Sequence, residues 1–185
     1  HFTNVQDERM VSGMNIREMT AKDWNAVAQI YKDGMDTGLA TFQSEIPAYS
    51  DWDSNHLKDC RLVAVDEGIV CGWVALSPVS SRCVYAGVCE VSIYVAAQYH
   101  KKGVGTLLLK AALTKSEALG IWTLQSGITK NNLASIRLHE KCGFRMVGYR
   151  ERIGKDSTGT WRNTVLMEHR CAADEVGGCC SCCPK

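Results

Sequence analysis

The stretch from Glu90 to Thr106 constrains the chain most. Glu90-Val91-Ser92-Ile93-Tyr94-Val95 alternates polar or amphipathic with apolar side chains, the period of a strand. Parity puts Glu90, Ser92 and Tyr94 on one face. Four residues later, His100-Lys101-Lys102-Gly103-Val104-Gly105-Thr106 forms a basic, glycine-bearing turn. Leu107, Leu108, Ala111 and Ala112 then give residues 103–119 one apolar side, a helix that Gly120 ends. Gly103 and Gly105 let main-chain N–H groups turn inward with no side chain in the way. The helix N-terminus adds partial positive charge, and Lys101 and Lys102 raise the local potential. The combination reads as a pyrophosphate cradle. It is not a Walker A loop, because no Lys-Ser/Thr pair follows the glycines. Nor is it a dinucleotide fingerprint, because Leu108 stands where the third glycine belongs.

A second stretch lies downstream, Asn132-Leu133-Ala134-Ser135-Ile136-Arg137-Leu138-His139-Glu140-Lys141-Cys142-Gly143-Phe144. Alone, it reads as a capped surface helix over 133–141, and a Gly-x-Gly at a helix start reads alone as a plain turn. Two such stretches in one chain, with a strand at 121–126 between them, are far more specific. Elsewhere the patterns predict strands at 15–19, 61–65, 69–76, 144–152 and 162–168. A long strand at 84–95 is broken near Gly87, and helices span 21–34 and 49–60, the first capped by Thr20. Mixed rather than alternating elements predict one α/β domain. Its sheet is mixed, mostly antiparallel and twisted, and flanked by helices. The domain is expected over 14–170, between a polar leader at 1–13 and a cysteine-rich tail at 171–185.

A length of 185 residues suits one domain. A net charge of +1 argues against nucleic-acid binding. No apolar run reaches the ~20 residues of a membrane helix, and residues 1–7 do not resemble a secretory signal. A cytoplasmic protein without a membrane partner is expected. Cys60, Cys71, Cys83, Cys89 and Cys142 lack metal-ligand spacing and read as buried free thiols. Cys171, Cys179, Cys180, Cys182 and Cys183 crowd the tail. An oxidation-prone disordered tail is expected there, with a soft-metal site or S-acylation as alternatives.

The two stretches resemble the acetyl-CoA loop and the following helix of the GNAT N-acetyltransferase superfamily. The likeness is closest to the phosphinothricin and L-amino acid N-acetyltransferase group. Phe42-Gln43-Ser44-Glu45, Arg82-Cys83-Val84-Tyr85, Cys89 to Val95, and Arg137-Leu138-His139-Glu140 all resemble that group's motifs. The resemblance covers about 14–170. His100 stands where the loop usually has Gln or Arg, which implies weaker phosphate bonding. His139 stands where most of the superfamily has Tyr, as in the phosphinothricin group.

The resemblance implies acetyl-CoA as co-substrate, no metal, a small amine acceptor, and a homodimer. Ile93, Tyr94 and Val95 would bind pantetheine through the main chain like an added strand. His100 to Thr106 would hold the diphosphate, and Asn132 the pantetheine or diphosphate arm. A free α-ammonium has a pKa near 8, so a base helps at neutral pH. Glu90 is expected to be that base, and His139 an acid or base. Phe42 and Tyr85 would wall the side-chain pocket, Glu45 would pair with the ammonium, and Arg82 would grip a carboxylate. Two other readings stay open: acetylation of a protein or peptide amine, and a non-catalytic CoA sensor on the same fold.

Overall fold

The computed structural model describes residues 13–171. Apart from Gly13 and Cys171, the expected leader and tail lie outside the described residues, and with them the tail's metal and acylation readings. The strands are β1 (Met14–Glu18), β2 (Leu62–Asp66), β3 (Ile69–Pro78), β4 (Val88–Val95), β5 (Thr123–Thr129), β6 (Arg145–Lys155) and β7 (Trp161–Arg170). The helices are α1 (Trp24–Asp36), α2 (Tyr49–Asn55), α3 (Val104–Ala118) and α4 (Leu133–Lys141). All seven strands form one sheet in the order β1-β2-β3-β4-β5-β7-β6. Every neighbouring pair is antiparallel except β4 and β5.

The sheet is covered on both faces. On one, Leu108, Leu109 and Ala112 of α3 pack with Leu62, Val74, Leu76 and Val91. Burying a leucine of this kind contributes roughly 1.5–3 kcal/mol. On the other, Val27 and Ile30 of α1 and Trp52 of α2 pack against Val63, Trp73 and Ala75. Alternate residues of β2 and β3 therefore serve different cores, which is why these strands read as nearly continuous apolar runs.

Several boundaries differ from the sequence expectation: the strand expected over 121–126 is Thr123–Thr129, the one over 144–152 is Arg145–Lys155, the one over 69–76 runs on to Pro78, and the helix over 21–34 runs to Asp36. Three further differences have a local reason. The helix expected over 49–60 ends at Asn55. Arg61 is buried, and its guanidinium collects the carbonyls of Leu57, Asp53 and His56 at 2.5, 2.7 and 2.8 Å. It also binds the Asp53 carboxylate at 2.5 Å. Those carbonyls are turned toward Arg61 instead of continuing the helix. The strand expected from 84 begins at Val88, because Cys83–Tyr85 is a 3-10 turn. Gly87 lies flat against Trp122: a Cβ there would sit 2.0 Å from the indole ring. Thr20 precedes a 3-10 turn, Ala21–Asp23, rather than the α-helix itself. Cys60, Cys71, Cys89 and Cys142 are free and buried, while Cys83 is half-buried. Burial pushes the Cys60 thiol up to about 12 and that of Cys89 up to about 11.

One feature of the topology builds the site. β4 and β5 pair only through Val88–Thr123, Cys89–Leu124 and Glu90–Gln125. Past that point β4 stays with β3 as far as the pair Val95–Gly72, and β5 stays with β7 as far as Thr129–Thr164. The two strands part in a V. Its edges present strand N–H and C=O groups without a partner across the gap.

Candidate active site

A cavity of about 460 Å³ fills the V. It runs from one face of the sheet to the other. Glu90, Ser92, Tyr94, Gly127 and Thr129 line it on the α1/α2 face, and Ser126, Ile128 and His139 on the α3/α4 face. A ligand extended along the β4 edge would be held by main-chain bonds and reach both halves.

The cradle lies at the start of α3. Lys101 and Gly103 both adopt left-handed backbone, with φ of 61° and 82°. This turns the chain so that the first N–H groups of α3, which have no intrahelical acceptor, face outward. A Cβ on Gly105 would sit 3.0 Å from Leu138 Cδ2. The glycine of the first motif thus receives the leucine of the second, which explains why the two stretches occur together. His100 donates from Nε2 to the Val95 carbonyl at 2.8 Å, so its ring is folded back onto the strand. Lys102 Nζ lies 5.1 Å from the centre of the Tyr99 ring. The main chain of 103–106 therefore offers a diphosphate more than the His100 side chain does.

Glu90 stands at the apex of the V. Its Oε2 accepts a bond from Gln125 Nε2 at 3.3 Å, and its Oε1 faces the bare Cα of Gly127. Across the gap, His139 is 1% exposed. Its Nδ1 donates to the Ser135 carbonyl at 2.8 Å, and the ring packs edge-on against Phe144. That bond fixes the tautomer and leaves the Nε2 lone pair free. Nε2 is buried with no partner. Burial pulls the imidazole below its ordinary pKa, against the opposing effect of the Ser135 carbonyl. An orphaned buried acceptor at a cavity wall is what a transferable proton requires. Asn132 Oδ1 caps α4 by accepting from Ser135 N–H at 3.2 Å. Its amide Nδ2 remains available to the cavity that Asn132 lines.

The α1/α2 half is aromatic. Tyr94 stacks on Trp73 and meets Tyr31, with ring centres 5.0 and 4.8 Å apart. Gly34 makes room, since a Cβ there would be 2.6 Å from Tyr94 Cδ1. The Tyr31 hydroxyl bonds Gln43 at 2.5 Å and steadies the loop that carries Phe42. Phe42 lines the cavity and lies on Gly154 of β6. Arg82, Tyr85 and Glu45 do not line the cavity. Arg82 and Tyr85 stack on each other at the surface, with the guanidinium 5.8 Å from the ring centre. The pattern missed His56, Gln125 and Arg150. His56 stacks on Trp52 and donates from Nδ1 to the Trp52 carbonyl at 2.7 Å, and burial lowers its pKa. A lone histidine or glutamine carries no local signal of this kind. Among the described residues no group of His, Cys, Asp and Glu is arranged to hold a metal.

Residues 24–144 match the model of the acetyltransferase (GNAT) family. The chain is 31% identical to the phosphinothricin N-acetyltransferase of Streptomyces viridochromogenes, over 80% of this chain and 86% of that one. It is 26% identical to the L-methionine sulfoximine/L-methionine sulfone acetyltransferase of Pseudomonas aeruginosa, over 83% and 92%. The crystal structure of a phosphinothricin acetyltransferase from Sinorhizobium meliloti in complex with acetyl-CoA superposes with a TM-score of 0.77 and 27% identity. That superposition covers 85% of this chain and 88% of the other.

Proposed function

The chain belongs to the acetyltransferase (GNAT) family, and from that premise we propose that it acetylates the α-amino group of a small amino-acid-like acceptor. Acetyl-CoA is the donor. Phosphinothricin, methionine sulfone and methionine sulfoximine head the acceptor class, in line with the names of its relatives. The observation that carries the reading is the two-sided cavity. Glu90 stands on the acceptor face, and the unpartnered Nε2 of His139 lies on the cradle face.

The chemistry follows from counting protons. An acceptor arrives as an ammonium with three N–H bonds and leaves as an amide with one. Glu90 takes the first proton, directly or through water, and passes it to solvent. The freed lone pair forms the N–C bond to the thioester carbon, and the C–S bond breaks with its electrons going to sulfur. His139 Nε2 accepts the second nitrogen proton and delivers it to the departing thiolate. Gln125 holds the Glu90 carboxylate toward the gap. The parted edge of β4 at Ile93 to Val95 supplies main-chain donors for the pantetheine arm and the carbonyl oxygen. Gly103 to Thr106 receive the diphosphate, and Asn132 the arm between. Phe42 walls the acceptor.

The same reading makes the protein a cytoplasmic homodimer. Exposed Met146, Val147 and Tyr149 on the edge strand β6 offer apolar surface to a second copy.

Free-thiol release from acetyl-CoA tests the proposal. Phosphinothricin, methionine sulfone, methionine sulfoximine, the common amino acids and short peptides serve as acceptors. Turnover on the free amino-acid-like compounds, well above that on the peptides, is the expected result. Preference for peptides moves the function to protein or peptide acetylation. Acetyl-CoA binding without turnover on any amine makes the protein a CoA sensor.

A further inference from the structure

β6 carries a device that the motifs do not announce. Arg150 pairs with Thr164, and Gly154 pairs with Arg162, so β6 spends four steps where β7 spends two. The surplus is taken up by a bulge at residues 151–153. Arg152 there holds a left-handed φ of 50°, and its N–H donates to Asn163 Oδ1 at 2.8 Å. A non-glycine residue in that region is strained and persists only where its surroundings impose it. Such bulges commonly re-aim side chains beside active sites. This one is bracketed by the cavity wall. Arg150 and Ile153 line the cavity, and Gly154 lies so close to Phe42 that a Cβ would be 2.8 Å from the ring.

The cavity's fixed charges number two. Among the described residues, Glu90 is the only carboxylate that lines it, and Arg150 the only guanidinium or ammonium. Arg150 has no carboxylate within salt-bridge distance among the described residues. Both charges stand on one face of the sheet. Glu90 is opposite Gln125, Thr129 lies on the same side of β5 as Gln125, and Arg150 is level with Thr129 through Thr164. That is the α1/α2 face, where the acceptor pocket lies, and not the face of the α3 cradle.

We infer that Arg150, set on that face by its pairing with Thr164 at the edge of the bulge, binds the anionic group of the acceptor. Its planar fork matches a carboxylate or phosphinate with two parallel bonds. With Glu90 drawing the ammonium, the cavity is complementary to a zwitterion, so the acceptor class is an amine that carries an acidic group. Arg82, the residue the family resemblance offers for this task, stands outside the cavity. The inference rests on the acceptor reading given above and adds the residue that selects for charge.

The test compares an amino acid that the wild type acetylates with its neutral carboxamide, in wild type, Arg150→Met and Arg150→Lys. Arg150 is exposed on a strand, and unchanged circular dichroism shows that the variants are folded. The wild type prefers the acid. In Arg150→Met, kcat/KM for the acid falls by about tenfold to a hundredfold, mostly through KM. The carboxamide rate stays put, so the preference collapses. Arg150→Lys restores part of it, and KM for acetyl-CoA is unchanged throughout. Equal losses on acid and carboxamide overturn the inference. So does a rise confined to the KM for acetyl-CoA, which would put a phosphate of the donor on Arg150. Failure of the wild type to acetylate any amine is a separate result. It removes the acceptor reading, and this inference with it.

Discussion

Replacing Glu90 by glutamine lowers kcat by about 10²–10³-fold, while KM for acetyl-CoA stays close to wild type. The substitution keeps size and hydrogen bonding but removes the charge and the basicity that takes a proton. Glu90 stands on the α1/α2 side of the V, and the cradle that holds the donor lies at α3 on the other. Donor affinity should therefore hardly notice. Equilibrium binding of acetyl-CoA to the variant, beside steady-state kinetics with a saturating acceptor, separates the two. A variant that turns over normally removes Glu90 from the chemistry. One that loses acetyl-CoA binding makes it structural.

The second large effect falls on His139. His139→Asn loses about 10²-fold in kcat, because among the described residues the other histidine lining the cavity, His56, is stacked on Trp52 and does not replace it. The wild-type rate carries its own signature. Burial lowers the pKa of His139, so kcat/KM rises with pH through a value below the ordinary histidine value and is flat above it. That limb is missing in the variant. Stability follows the same sign. The unfolded chain takes up a proton near the ordinary value of about 6.5, and the folded chain only at lower pH. The contribution of His139 is thus complete above that window and is lost as pH falls through it. His139→Asn reduces the fall of the unfolding midpoint as pH drops below about 6.5, and His56, whose pKa burial also lowers, keeps the remainder. A wild-type rate profile without the limb, in an enzyme that otherwise turns over, contradicts the proton-carrying role.

Local elements were legible where local chemistry made them. The alternation from Glu90 to Val95 and the Asn132 cap act over a few residues, and the structure shows both. The apolar side of α3 is turned from the expected one: Leu109 and Leu113 join Leu108 and Ala112 in the core, while Leu107 and Ala111 are half-buried. That the two motifs belong together was legible from their co-occurrence, but the seating of Leu138 against Gly105 was not. What escaped was set by long-range register. Arg150 reaches the cavity through its pairing with Thr164 and a bulge two residues in excess, and no pattern within β6 announces either. Gln125 meets Glu90 only because β4 and β5 pair for three residues before parting. The end of α2 was missed because Arg61, beyond the expected helix, turns the carbonyls of Asp53, His56 and Leu57 toward itself. Arg82, Tyr85 and Glu45 were placed by motif, and the folded chain leaves them outside the cavity.

The most direct measurement of the central claim is the product itself. The full chain is incubated with acetyl-CoA and phosphinothricin or methionine sulfone, and the acceptor is recovered for mass spectrometry and NMR. The account predicts an acceptor heavier by one acetyl group, carried on the α-nitrogen, formed one-for-one with free CoA. CoA released without an acetylated acceptor, or acetyl found on another atom, would contradict it.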